Sequence, residues 1–340
     1  MKRLLALPLF ALLLVVPLAT PPSASGAPAD QAAPTAHDHA NHHHGPDGMA
    51  LDRRQFRGAK AAQAATYEVD AHADWSKVEW DGNAFTADQR DVDGQAGQKQ
   101  VHAIYVYPAR AQSRFLQFAA MFQADARQAN DLLADTRGRG IRFDERVGAD
   151  KVTRYLDITV FQSKYRANQL AGSNQFSLVA NELAAKFNAP NKKYVAWLDA
   201  GSQYCGQGTL YQDTRRDPAV NGNNVSRTTG IVYRPYTASD PATGGFCRGR
   251  TLLHELGHNL GALQSVAPND FDGAHCNDSG DDVMCYPGAA EALLGSVGAD
   301  NDVAVFDHGS DDYWDPDGGA LTYWTVNLSS FLCPVGVRSC

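Results

Sequence analysis

The chain has 340 residues, 44% of them hydrophobic and 20% charged, with 38 acidic residues against 30 basic ones and a formal net charge of -8. At roughly 150 residues per domain this allows about two domains, or one large domain with appendages, and enough apolar material for a real core. It excludes a wholly disordered or fibrous protein. The acidic balance argues against a nucleic-acid partner, which needs a basic face to neutralise phosphates.

Met1, Lys2 and Arg3 open the chain, an apolar stretch runs from Leu4 to Ala19, and small residues follow up to Ala27. These are the parts of a secretory signal, so residues 1–26 are expected to be cleaved near Gly26. A retained anchor is the alternative, but this stretch contains Pro8 and Pro17 and is shorter than the about 20 residues of a spanning helix. The expected product is secreted and extracellular, with no stable membrane insertion. Six cysteines fit that compartment. Three disulfides between sequence neighbours are expected: Cys205–Cys247, Cys276–Cys285 and Cys333–Cys340. No CxxC pair supports cysteine ligation of zinc instead.

Residues 27–48 are rich in Ala, Pro, Asp and His and read as a disordered linker. Its cluster His37, His39, His42, His43 and His44 is a solvated spacer or, alternatively, a place of metal capture. Residues 49–99, with Trp75 and Trp80 as anchors, read as an N-terminal extension or a pro-segment. A compact domain is expected over 100–340. Val101 to Tyr107 and Val152 to Phe161 read as strands. Apolar spacing from Phe115 to Leu133 predicts a long helix over 113–136. A second helix is expected over Phe176 to Phe187 and a buried strand over Lys193 to Asp199. A Gly- and Asn-rich loop follows, then a strand from Gly230 to Tyr236.

Residues 254–258 read His-Glu-Leu-Gly-His. Positions four apart share one helix face, so His254 and His258 can aim both imidazoles at one metal ion. Glu255 can hold a water there and accept its proton. Zinc suits two neutral nitrogens with an open position. Leu252, Leu253, Leu256 and Leu260 make the helix apolar around them. Gly261 can end it in a left-handed conformation.

With Gly261 and the downstream Asp282-Val283-Met284-Cys285-Tyr286, this motif resembles the metzincin clan of zinc endopeptidases, above all its secreted bacterial members. In that clan the motif continues HExxHxxGxxH and a methionine turn lies beneath the metal. The resemblance covers about Thr251 to Tyr286. It implies an α+β domain with a twisted mixed sheet, a long helix and an active-site helix, followed by an irregular C-terminal subdomain. The clan's third ligand falls at position 264, where this chain has Gln264, a poor zinc ligand. His275 is the expected third ligand instead, because its neighbour Cys276 can be tied to Cys285 beside the methionine. Gln264, Asp272, Asp278, Glu291 and His308 stand as alternatives. In some clan members a tyrosine at the spacing of Tyr286 meets the metal or the oxyanion; a packed aromatic is the other reading.

The function these residues imply is a zinc-dependent endopeptidase with a glutamate general base, acting on protein or peptide substrates as a monomer. A non-catalytic metal-binding protein is the alternative from another class. The strand near Gly230 to Tyr236 is the expected edge for an extended substrate. Acidic residues from Asp300 to Asp317 match no EF-hand spacing and read as a solvated acidic surface, with calcium binding as the alternative.

Overall fold

The computed structural model describes residues 35–36, 98–147, 154–187, 189–202, 204–235, 249–285, 304–315 and 320–334. The signal segment, most of the linker, the 49–97 extension, Tyr286 and Glu291 lie outside them.

The fold is α+β, built on one mixed six-stranded sheet. Its strands are β1 (Thr35–Ala36), β2 (Gln100–Tyr107), β6 (Ile158–Gln162), β7 (Lys192–Ser202), β8 (Gly206–Leu210) and β9 (Thr229–Pro235), in the order β1-β8-β9-β7-β2-β6. The four strands β6, β2, β7 and β9 run parallel, whereas β8 lies antiparallel on β9 and β1 antiparallel on β8. Short ladders lie apart from the sheet: β3 (Arg139–Ile141) with β10 (Leu332–Pro334), and β4 (Glu145–Val147) with β5 (Arg154–Leu156).

Strand side chains alternate between the two faces. Val101, Ala103, Tyr105, Val195, Trp197 and Val232 enter one core; Ile104, Val106, Tyr194, Ala196, Leu198, Ile231 and Tyr233 enter the other. Helix α1 (Phe115–Arg137) supplies the first core with Phe115, Phe118, Phe122, Ala126, Ala129 and Leu133 and stops at Gly138, whose φ is 63°. Helix α2 (Gln175–Lys186) covers the opposite face through Phe176, Val179 and Leu183. A one-turn helix α3 (Gly222–Val225) is capped by the Asn221 side chain. Helix α4 (Gly249–Leu260) carries the His-Glu-Leu-Gly-His motif and packs on α1, β8 and β9. Beyond α4 the described chain is mostly turns.

The expected strand over 152–161 divides. Arg154–Leu156 pairs with β4, Asp157 donates its N–H to Asp144 O at 2.9 Å, and only from Ile158 does the chain join the main sheet. The expected Gly- and Asn-rich loop contains β8. In consequence β9 is interior, between β7 and β8, and the outer position expected for residues 230–236 belongs to β8 with β1 beyond it. No helix among the described residues is long and apolar enough to cross a membrane.

Candidate metal centre

Eleven of the twelve residues of α4 are buried, so its polar side chains need partners inside the protein. Asn259 spends its amide on Thr209 O (3.0 Å) and Thr229 O (3.3 Å), fastening the helix across β8 and β9. That close docking depends on glycines. A Cβ at Gly206 would overlap Glu255 Oε1, one at Gly208 would come within 2.7 Å of Glu255 O, and one at Gly230 within 3.1 Å of Glu255 Cβ. The missing side chains let β8 and β9 lie directly against Glu255, which is 2% exposed.

His254 and His258 share one face of α4, with their Nε2 atoms 3.2 Å apart. His275 joins them from the loop beyond the helix: ring centroids are 5.2 Å apart for His254–His275 and 5.0 Å for His258–His275. One ligand atom from each of the three lies within 4.8 Å of the others. Two nitrogens about 2.0–2.1 Å from a tetrahedral zinc would be roughly 3.3 Å apart, close to the observed Nε2 spacing. The donor set therefore fits zinc. The orientation of two rings is set from behind: His254 Nδ1 donates to Val283 O (2.7 Å), and His275 Nδ1 donates to Asp272 Oδ2 (2.8 Å). Each ring thus keeps a lone pair on Nε2. Burial lowers the His254 pKa to about 4, which holds the ring neutral, the form a metal needs.

The surroundings keep these groups in register. Gly261 has φ 88° and Leu263 φ 51°, so the chain reverses after α4 through left-handed backbone. Trp324 Nε1 donates to Leu260 O at 2.8 Å and closes the turn from the far side. Met284 is fully buried beneath the helix, its Sδ 2.5 Å from where a Cβ on Gly257 would stand. The Cys276–Cys285 disulfide joins the residue after His275 to the residue after Met284. Cys205 and Cys333 are also disulfide-bonded, while Cys247 and Cys340, the neighbours expected to pair with them, lie outside the described residues.

Under the methionine, Asp282 accepts hydrogen bonds from Tyr313 Oη, Met284 N and His308 N, each at 2.6 Å. Asp307 accepts from the backbone N–H groups of Asp312, Tyr313 and Trp314. Burial raises the pKa of Asp282 and takes that of Asp307 to about 7, against the pull of these donors.

Of the expected site residues, the structure brings His254, His258, His275 and Glu255 together. Among the alternatives for the third position, Gln264 is buried with its Nε2 bonded to Gly261 O (3.3 Å), Asp272 stands behind His275, and Asp278 and His308 are exposed. Sequence reasoning missed Asp272 as the partner of His275 and the glycines beneath Glu255. The signal for the latter was Gly206-Gln-Gly208 before Thr209 and Leu210, since glycine inside a strand marks close approach.

Against known protein families the chain finds no match, and no curated relative aligns with it significantly. A similar solved structure is OgpA from Akkermansia muciniphila, 12% identical with a TM-score of 0.29 over 67% of this chain. The match covers 62% of OgpA, less than two thirds of its length.

Proposed function

We propose that the chain is a secreted zinc endopeptidase of the metzincin type, hydrolysing bonds in an extended protein or peptide substrate. The observation that carries this reading is the carboxylate of Glu255 packed against β8, on the same helix as two of three converging imidazoles. A purely structural zinc site is closed by four protein ligands and needs no general base. Among the described residues His254, His258 and His275 make a three-membered group.

These three imidazoles would hold zinc, which when bound supplies a Lewis acid that polarises the scissile carbonyl and makes water acidic near neutral pH. Glu255 accepts the proton of the attacking water and delivers it to the departing amine. Its burial against glycine backbone fixes its aim and excludes competing water. β8 runs beside Glu255, so an extended substrate bonded to that strand would have its backbone delivered to the carboxylate. β1 engages Thr209 and Leu210 at one end of β8; Gly206 and Gly208, toward the other end, lie against Glu255. Tyr286, next to Cys285, is the proposed hydrogen-bond donor to the oxyanion. The left-handed Gly261 turn and Met284 beneath Gly257 support the metzincin reading, with His275 serving in place of position 264.

The test is zinc content together with casein cleavage by the secreted protein and its Glu255→Gln variant. Both should hold zinc, and the variant should cleave about 10²–10⁴-fold more slowly. A variant as active as wild type would end this mechanism.

A further inference from the structure

We propose that Asp278, Asp311 and Asp312 form a second cation site, one for calcium, which clamps the loop bearing His275 to the segment 307–315. One carboxylate oxygen from each residue lies within 4.8 Å of the other two. None of the three makes an ion pair with lysine or arginine among the described residues. Asp278 and Asp311 are exposed, and a solvated acidic surface would explain those two alone.

It does not explain two buried oxygens. Asp312 is 0% exposed; its Oδ1 accepts the Asn269 N–H at 3.1 Å, and its Oδ2 has no hydrogen-bond partner among the described residues. Tyr323, 5% exposed, also has a hydroxyl without a partner among them. The charges that bear on that hydroxyl are those of Asp312 first, then Asp307, Asp311 and Asp315, which puts it on the Asp311–Asp312 side of the cluster. Leaving buried polar atoms unsatisfied is costly, and a fully buried carboxylate oxygen of the cluster with an unpartnered buried hydroxyl on its Asp311–Asp312 side mark the place of a ligand.

The chemistry of that ligand follows from the donors. All are oxygens and the carboxylates carry excess negative charge, which selects a hard divalent cation. Calcium takes 6–8 oxygens at about 2.3–2.6 Å in flexible geometry, so oxygens on opposite sides of one ion lie about 5 Å apart, the scale of this cluster. Tyr323 would receive a water of the ion's shell, and Asn269, whose Nδ2 lies 3.4 Å from Asp311 Oδ2, would turn its amide to present the carbonyl. The placement gives the site its consequence. Asp278 lies inside the loop closed by Cys276 and Cys285, two residues from the disulfide and three from His275. Its Oδ1 is 3.0 Å from Cys285 Sγ.

The experiment is thermal unfolding of the full chain in zinc-containing, calcium-free buffer, titrated with calcium chloride to about 10 mM, with magnesium as control. The wild-type midpoint should rise by roughly 3–7 °C with half-saturation near 10⁻⁴–10⁻³ M, and magnesium should not reproduce the rise. The Asp278→Asn/Asp311→Asn double variant changes exposed residues only. It should lose the calcium increment and, relieved of like-charge repulsion, melt no lower than wild type without calcium. A wild-type midpoint indifferent to calcium, or an equal increment in the double variant, would overturn the site.

Discussion

Asp272 holds the Nδ1–H of His275 and the carbonyl of Val283 holds that of His254, so neither ring can turn from the point where the three imidazoles converge without giving up a buried hydrogen bond. Replacing such an outer partner commonly weakens metal affinity about 10–100-fold while leaving the ligands in place. Asp272→Asn should therefore lose zinc to a competing chelator at correspondingly lower chelator concentration; unchanged competition would show that Asp272 does not orient the ring. The residue illustrates what was legible at this scale. His254, Glu255 and His258 declare themselves by spacing alone, because four residues on a helix always bring two side chains to one face. Asp272 and His275 were both candidates for one coordination position, and which of them reaches it depends on the path of a loop. The loop places the ring at the centre and the carboxylate behind it.

At the scale of elements, α4 works because both ends and both flanks are prepared for it. Gly261 ends it at φ 88°, and a Cβ there would approach Trp324 Nε1 to 2.6 Å. Gly261→Ala adds a left-handed penalty of roughly 1–2 kcal/mol to that overlap. We expect a loss of at least about 2 kcal/mol in urea unfolding. A loss below 0.5 kcal/mol, the range of neutral surface changes, would mean the turn relaxes freely. The helices α1, α2 and α4 were legible because apolar residues at a 3.6 period have one structural meaning. β8 was not. Its Gly-Gln-Gly-Thr-Leu lacks the apolar alternation of a half-buried strand, since its glycines make room for Glu255 instead of filling a core. The division of residues 152–161 was equally hidden, because the break at Asp157 arises from a hydrogen bond to Asp144, distant in sequence.

Across the whole molecule, the turn of Met284 and the segment 305–315 are joined by the Asp282–Tyr313–Asp307 network, and Asn269, before His275, bonds to Asp312. Asp307, raised to about 7 from 3.8 by burial, binds more protons in the folded than in the unfolded chain between those values. Its contribution to stability is then fully present below about pH 4 and is lost as pH rises through 7. Asp307→Asn should flatten the fall in unfolding free energy measured from pH 5 to 8 in calcium-free buffer; an unaltered slope would assign the titration elsewhere. The amino-acid order alone marked the three long helices, the strand positions of the core, two histidines and a carboxylate on one helix, and the neighbouring pair Cys276 and Cys285, because helical and strand periods and short loop closures are local. Only the tertiary structure decided that β8 outflanks β9, that Asp272 backs His275, and that Asp278 meets Asp311 and Asp312. β8 against β9 and Asp278 against Asp311 and Asp312 are brought together by packing of separate segments, and Asp272 and His275, three residues apart, meet through the path of an irregular loop; none of these has a local period to read.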